Sequence, residues 1–270
     1  MNDCTYFYSG FTHSSLCKHL PGRVKTSRPQ RLANATKDQG RRAANGRPVL
    51  SQLLWPHRYQ LNYLEDEELR RLREAVLASP YLADTDLNEG FAGTYGFSLL
   101  FHREELDRAE KLMPELAPHF KRVIHPKSNV LFLNPLVIQV GKGVEPHADK
   151  TLVSFVKGEP PFPFAVSVLY LGVPAEKSGG ELVFHRWFGK HIITPQENLL
   201  VEFPGWMIHE VTPLNSAADA PPRVSLVLEQ YRLTAQMKAE VPPWYLETSR
   251  PFEEFLKEAE DSEEIVQELT

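Results

Sequence analysis

The sequence predicts a mainly β domain with flanking helices, closed as a barrel or a two-sheet sandwich. Three observations predict it. From Asn129 to Tyr231 the chain breaks into strand-length apolar runs separated by Gly and Pro, the pattern of antiparallel barrels and sandwiches. Segments with helical periodicity lie before that stretch, not within it. The 270 residues, 42% apolar and 24% charged, suffice for one large core with helical decoration and have an ordinary globular composition.

The elements follow in order. Residues 1–48 hold nine Lys/Arg against Asp3 and Asp38, a balance of +7 that leaves −12 for the rest of a chain whose net charge is −5. A basic, acid-poor lead without periodicity is expected to be flexible. A targeting segment, a nucleic-acid-touching arm and an upstream extension are the other readings of that composition. Glu65 to Ala78 reads as a helix with Leu69, Leu72 and Val76 on one face and acids in its first turn, where the helix dipole favours them. Pro80 ends it. Ala92 to His102 reads as a strand, and Arg103 to Phe120 as a second helix carrying Leu106, Leu112, Met113 and Leu116. Strands are then expected over Asn129–Val140, Phe164–Gly172, Leu182–Phe184, Asn198–Phe203, Trp206–Val211 and Arg223–Tyr231. Gly179-Gly180 reads as a tight turn, because glycine accepts positive φ without steric cost. The acidic stretch 251–270 is expected to be a final helix or tail. The expected organisation is therefore a lead (1–48), one domain (49–250, core 130–233) and an acidic end (251–270).

Some classes are excluded. No run approaches eighteen apolar residues, so no membrane span is expected. Cys4 and Cys17 are the only cysteines, too few for a disulfide framework or a cysteine metal site. With no secretory pattern in view, a cytoplasmic location is expected. Nucleic acid is not an expected partner, and the oligomeric state is not legible.

The chemistry concentrates in His147-Ala148-Asp149, with His209 sixty residues after Asp149 and Arg223 fourteen after His209. Two imidazoles and one carboxylate are the ligand set of a non-haem Fe(II) site with open positions. On a strand, side chains at i and i+2 share a face, so His147 and Asp149 can reach one ion while Ala148 points away. His209 must arrive on a neighbouring strand. Arg223 offers an always-charged fork suited to a carboxylate. Each residue alone has a bland reading: a lone H-x-D is common, His209 could be a core histidine and Arg223 a strand-edge cation. His185 and His191 read as surface or pocket-lining residues, and Trp187 and Trp206 as packing residues.

The ordered motifs P-H-A-D, S-V-L-Y-L, S-G-G-E-L-V-F, F-P-G-W, H-E-V-x-P and R-V-S-L resemble those of the Fe(II)- and 2-oxoglutarate-dependent dioxygenases, most of all the prolyl-4-hydroxylase-like branch. The resemblance covers Val130 to Leu233. It implies a double-stranded β-helix (jelly roll), iron held by His147, Asp149 and His209, and 2-oxoglutarate bound through its far carboxylate by Arg223 with Ser225 as a second partner. Relatives often place a tyrosine on the strand before H-x-D; here Leu136-Val137-Ile138-Gln139-Val140 stands there, which leaves Gln139 for that polar role. The resemblance also puts the glycine turn near the site mouth, which makes Glu181 a pocket candidate.

The implied reaction consumes O2 and 2-oxoglutarate, releases succinate and CO2, and hydroxylates an unactivated C–H bond, with ascorbate supporting activity. Related halogenases have Gly or Ala where this chain has Asp149, so the resemblance favours hydroxylation. The substrate is a small molecule or a peptidyl, prolyl-type side chain. Two other classes stay open: a cupin-type metallo-β-barrel that does not use 2-oxoglutarate, and a catalytically silent jelly-roll binding module.

Overall fold

The computed structural model describes residues 57–84 and 94–248; the expected lead (1–48) and acidic end (251–270) lie outside the described residues. The domain opens with β1 (Arg58–Gln60) and α1 (Asp66–Leu77). As expected, α1 buries Leu69, Leu72 and Val76. Asp66, Glu67 and Glu68 occupy its first turn, and the Glu65 backbone N–H donates to Glu68 Oε2 at 3.2 Å. Then come β2 (Ala83–Asp84), β3 (Thr94–Gly96), β4 (Ser98–His102), α2 (Leu106–Leu112) and α3 (Ala117–Val123). The single helix expected over Arg103–Phe120 is thus broken. Pro114 has no backbone N–H and disfavours helical backbone at Met113 before it, and Met113 sits at φ −143°, ψ 88°.

The remaining strands are β5 (Val130–Ile138), β6 (Val144–His147), β7 (Ala165–Gly172), β8 (Leu182–Arg186), β9 (Gly189–Ile193), β10 (Leu200–Phe203), β11 (His209–Val211), β12 (Arg223–Tyr231) and, after α4 (Ala235–Glu240), β13 (Trp244–Glu247). Among the described residues these form two antiparallel sheets. The large one runs β1-β10-β7-β12-β5-β3-β2, with β4 beside β5 and β13 beside β4; the small one runs β6-β11-β8-β9. From β5 to β12 the chain passes back and forth between the sheets, and only the β8–β9 hairpin stays in one of them. That alternation is a jelly roll.

Strand parity divides the core. One face of the large sheet carries Leu131 and Leu133 of β5, Leu169 and Leu171 of β7, and Leu226 and Leu228 of β12; these pack with Leu72, Val76, Leu116 and Phe120 of the helical segments. The opposite face turns Val166, Val168 and Tyr170 toward Leu182 and Phe184 of the small sheet. The central strands β5, β7 and β12 of the large sheet are therefore covered on both sides, and β5 is buried at every position.

The turns hold the expected glycines. Gly179 and Gly180 have φ of +76° and +69°, and a Cβ on Gly179 would stand 1.9 Å from the Pro213 carbonyl oxygen. Trp187 and Trp206, read from sequence as packing residues, are exposed. Trp187 is 93% exposed at the β8–β9 turn, and Trp206 has the Arg186 guanidinium 5.4 Å from its ring centre. Among the described residues no helix is long and apolar enough to cross a membrane.

His119 of α3 is fully buried, edge-on to the Tyr63 ring at 5.7 Å, and neither ring nitrogen has a hydrogen-bond partner. Burial, with the Arg122 charge adding, pushes its imidazole down to about 3 from the ordinary 6.5. The group is neutral when folded, so its stabilising effect is complete above about pH 6.5 and is lost as pH falls from there toward 3. Between pH 7 and pH 5 this amounts to about 2 kcal/mol. His119→Phe keeps the ring contact and removes the titration. Urea unfolding at the two pH values should show a pH sensitivity smaller by about that amount in the variant.

Candidate metal centre and cavity

The small sheet builds the metal face. β6 and β11 pair so that His147 and His209 stand directly opposite each other, with a register shift between His209 and Val211. Their rings lie 4.4 Å apart. Each imidazole is oriented by the carbonyl two residues before it: His147 Nδ1 is 2.7 Å from Glu145 O, and His209 Nδ1 is 2.9 Å from Met207 O. A ring whose Nδ1–H donates to a carbonyl keeps its Nε2 lone pair for a metal.

Both Nε2 atoms face Asp149, at 3.8 Å from His147 and 3.9 Å from His209 to Oδ1. Asp149 is not a strand residue, since β6 ends at His147. Its backbone N–H donates to the Gly205 carbonyl at 3.1 Å, so the Pro204-Gly205 turn, rather than strand parity alone, fixes the carboxylate. Gly205 is required there because a Cβ would lie 2.2 Å from Pro163 Cγ.

This trio fits a metal ion. One ligand atom from each residue lies within 4.8 Å of the others. Ligands about 2.1 Å from a shared ion lie at most about 4.2 Å apart, and the two contacts to Asp149 are inside that span. Asp149 Oδ2 is buried with no hydrogen-bond partner, an uncompensated acceptor that a cation would satisfy. Burial pushes both imidazoles down to about 4, for His147 with the neighbouring His209 adding and for both with the carbonyl bond opposing. At neutral pH both are therefore the neutral, ligating form. Burial raises the Asp149 carboxyl above the usual carboxylate range; a bound dication would reverse that shift.

The large sheet contributes the second half. Arg223, the first residue of β12, is 1% exposed. Its guanidinium carbon lies 4.8 Å from the Tyr170 ring centre, and its Nε and Nη1 have no hydrogen-bond partner. Ser225, two residues on, is buried and donates to Leu136 O at 3.4 Å, a long bond. One cavity of about 930 Å³ is lined by His147, Asp149, His209, Arg223 and Ser225 together. Gln139 does not join them. It follows the end of β5 and is exposed. The cavity-facing residues of β5 are Phe132, Asn134 and Leu136, so position 139 has the opposite parity and Asn134 is the polar residue this strand sends inward.

The other sequence candidates lie outside the metal face. Glu181 accepts a hydrogen bond from Thr212 Oγ1 and is not among the cavity-lining residues. His185 Nε2 is 3.0 Å from Glu210 Oε1, and the His191 ring lies tilted against the His57 ring with centroids 4.4 Å apart. Sequence reasoning does not single out Glu229, which also lines the cavity. It shares the parity of Arg223 and Ser225 on β12, and that parity was the signal.

Fold and site together define a jelly-roll protein with a two-histidine, one-carboxylate cluster and a buried arginine in one cavity. No protein-family model and no curated protein matches the sequence. Among solved structures, the chain is similar to a Pseudomonas putida prolyl-4-hydroxylase at 18% identity and a TM-score of 0.48, over 68% of this chain and 96% of that one. An oxidoreductase of the 2OG-Fe(II) oxygenase family from Burkholderia pseudomallei follows at 14% and 0.43, over 68% and 89%. A prolyl hydroxylase from Trichoplax adhaerens, in complex with a hypoxia inducible factor oxygen degradation domain peptide fragment, follows at 15% and 0.42, over 70% and 88%. These are likenesses of fold.

Replacing His147, Asp149 or His209 by Ala should each abolish stoichiometric Fe(II) binding while leaving the β-type circular dichroism unchanged. Anaerobic Fe(II) titration measures it. Full stoichiometry in His209→Ala would remove that residue from the ligand set.

Proposed function

We propose that this chain is an Fe(II)- and 2-oxoglutarate-dependent dioxygenase that hydroxylates an unactivated C–H bond of a small molecule or of a peptidyl, prolyl-type side chain. The observation that carries the reading is Arg223. A permanently charged guanidinium, fully buried and without an acceptor for two of its nitrogens, is costly unless an anion completes it. It lines the same cavity as a metal-type ligand trio. A metallo-barrel that does not bind a carboxylate cosubstrate leaves that charge unexplained.

When bound, Fe(II) and 2-oxoglutarate supply the oxidising chemistry: O2 and 2-oxoglutarate are consumed, one oxygen atom goes to the substrate, and succinate and CO2 are released. The chain's own residues do the rest. His147 and His209 present Nε2 lone pairs held in place by their Nδ1 bonds to Glu145 and Met207. Asp149 supplies the negative charge. Arg223 would hold the far carboxylate of the cosubstrate with its guanidinium, and Ser225, whose present bond to Leu136 is long, would offer its hydroxyl to the same group. Val166, Val168 and Leu182 line the cavity and keep water from the charged contacts, which strengthens them.

With Fe(II), ascorbate and O2, the full-length protein should form succinate from 2-oxoglutarate slowly without substrate and faster with the right one. Succinate release therefore serves as a substrate-blind screen across amino acids, proline-containing peptides, sugars and other small molecules. Arg223→Lys should raise the apparent KM for 2-oxoglutarate tenfold or more, as loss of a charge-assisted bond worth roughly 1.5–3 kcal/mol implies, with Fe(II) affinity unchanged. Iron-loaded protein that makes no succinate and shows no 2-oxoglutarate-dependent charge-transfer absorption would overturn the reading in favour of a metal-binding barrel.

A further inference from the structure

The cavity contains a second buried acid that the proposed chemistry does not use. Glu229, on β12, is 4% exposed and lines the same space as Arg223. Its carboxylate is organised: Thr151 Oγ1 stands 2.7 Å from Oε1 and 2.8 Å from Oε2, and the Tyr231 hydroxyl donates to Oε2. Thr151 follows Asp149 by two residues, so the carboxylate sits one side chain from the loop that carries the metal ligand. Burial, with the Asp149 charge adding, holds its carboxyl above the usual range.

Opposite charge is what it lacks. Among the described residues no Lys, Arg or His nitrogen lies within ion-pair distance of Glu229, while Asp149 faces two imidazoles. In the loaded site, a dication would be balanced by Asp149 and one carboxylate of 2-oxoglutarate, and Arg223 by the other. Glu229 is then left over. The mouth adds to the imbalance with Glu145 and Glu247. Lys150, the lysine that lines the cavity, is exposed, with its ammonium 3.7 Å from Glu159 and 5.0 Å from the Phe162 ring centre. Nor can one cosubstrate span both ends. Arg223 and Glu229 are six residues apart on one strand, about 20 Å along its axis, so a five-carbon diacid gripped at Arg223 ends well short of Glu229.

We propose that Glu229 is a substrate-binding residue, and that the substrate carries a protonated amine that pairs with it inside the cavity. Resting on the dioxygenase reading, this narrows the substrate to amino-bearing molecules: a free amine, an amino acid or a peptide presenting an ammonium group. Thr151 and Tyr231 hold two of the carboxylate's lone-pair sites and leave the others for the ammonium, which a carboxylate with its several acceptor sites accommodates. A neutral substrate would bring no opposite charge, and burial would keep the carboxyl toward its uncharged form. A purely structural tie between β12 and the loop at Thr151 would be made as well by an uncharged amide.

The test is a calorimetric titration of the full chain, loaded anaerobically with Fe(II) and 2-oxoglutarate, with n-butylammonium chloride and with butan-1-ol as its neutral counterpart. The ammonium should bind at least tenfold more tightly than the alcohol, and Glu229→Gln should erase that preference while the charge-transfer absorption of the loaded site persists. Equal affinity for the two probes, binding of neither, or an unchanged preference in Glu229→Gln would overturn the proposal. Should Glu229→Gln fail to fold, as circular dichroism would show, the comparison of the two probes on the unaltered chain decides. Repeating the titration without iron and cosubstrate separates the two readings. A Glu229-dependent ammonium preference in protein that binds no 2-oxoglutarate would sink the dioxygenase and leave the amine site standing. Charge-transfer absorption without an ammonium preference would do the reverse.

Discussion

Strand β12 is the constraint on which the rest of the structure depends. Its nine residues pair with β5 along their full length on one side and with β7 on the other, so it can neither slide nor rotate. A one-residue slip would exchange its two faces. Its even positions Val224, Leu226 and Leu228 belong to the helix-covered core, and its odd positions Arg223, Ser225, Val227 and Glu229 line the cavity. The register that buries the leucines is therefore the register that aims the charges. Packing energy, at about 25 cal/mol per Å² of apolar surface buried, holds in place a row of groups that would not hold themselves.

Those groups weaken the fold locally. Arg223 and Glu229 are charged-type residues with almost no solvent contact, and replacing buried ionic groups by apolar ones of similar volume often stabilises a protein by a few kcal/mol. Tyr170 softens the cost at one end by placing its ring against the guanidinium, and Thr151 and Tyr231 soften it at the other. The small sheet shows the same economy. Its histidines are neutral because burial removes their protons, which makes them cheap to bury and ready to ligate. Burial that penalises charge in the free protein is the condition under which ligands of opposite charge bind strongly.

The two sheets divide the labour. The histidine–carboxylate trio comes from β6 and β11 with the Pro204-Gly205 turn behind Asp149, and the buried Arg223 and Glu229 come from β12 in the other sheet. The trio thus faces a cavity that β12 also lines, with Arg223 at one end of the strand and Glu229 six residues along it. Helices α1 and α3 lie on the far side of the large sheet, away from this chemistry, and serve as its backing.

How much of this could be read from the chain depends on which physical signal each residue leaves. β12 was legible to its end residues because an apolar run begins after Pro221-Pro222, and α1 because its amphipathic period and acidic first turn are local properties. His147, Asp149, His209 and Arg223 were legible as a set of types at a spacing. The actual support of Asp149 was not, since it comes from a carbonyl fifty-six residues away in sequence. Trp187 was misread because aromatic rings usually pack and nothing local says that a hairpin tip will hold this one out. Gln139 and Glu229 failed for a common reason. Strands covered on both faces show no apolar–polar alternation, so β5 and β12 do not announce which face is inner. What they do show is their polar exceptions. Arg223, Ser225 and Glu229 share one parity on β12, and Asn134 of β5 pairs with Val227 of that same parity. In a strand buried on both sides, a polar side chain is tolerated only where a cavity or a partner receives it. Arg223, Ser225 and Glu229 meet the cavity, while Gln230, of the other parity, is received by Ser128 and the Val123 carbonyl. It is therefore the shared parity of several polar residues that points to the cavity face.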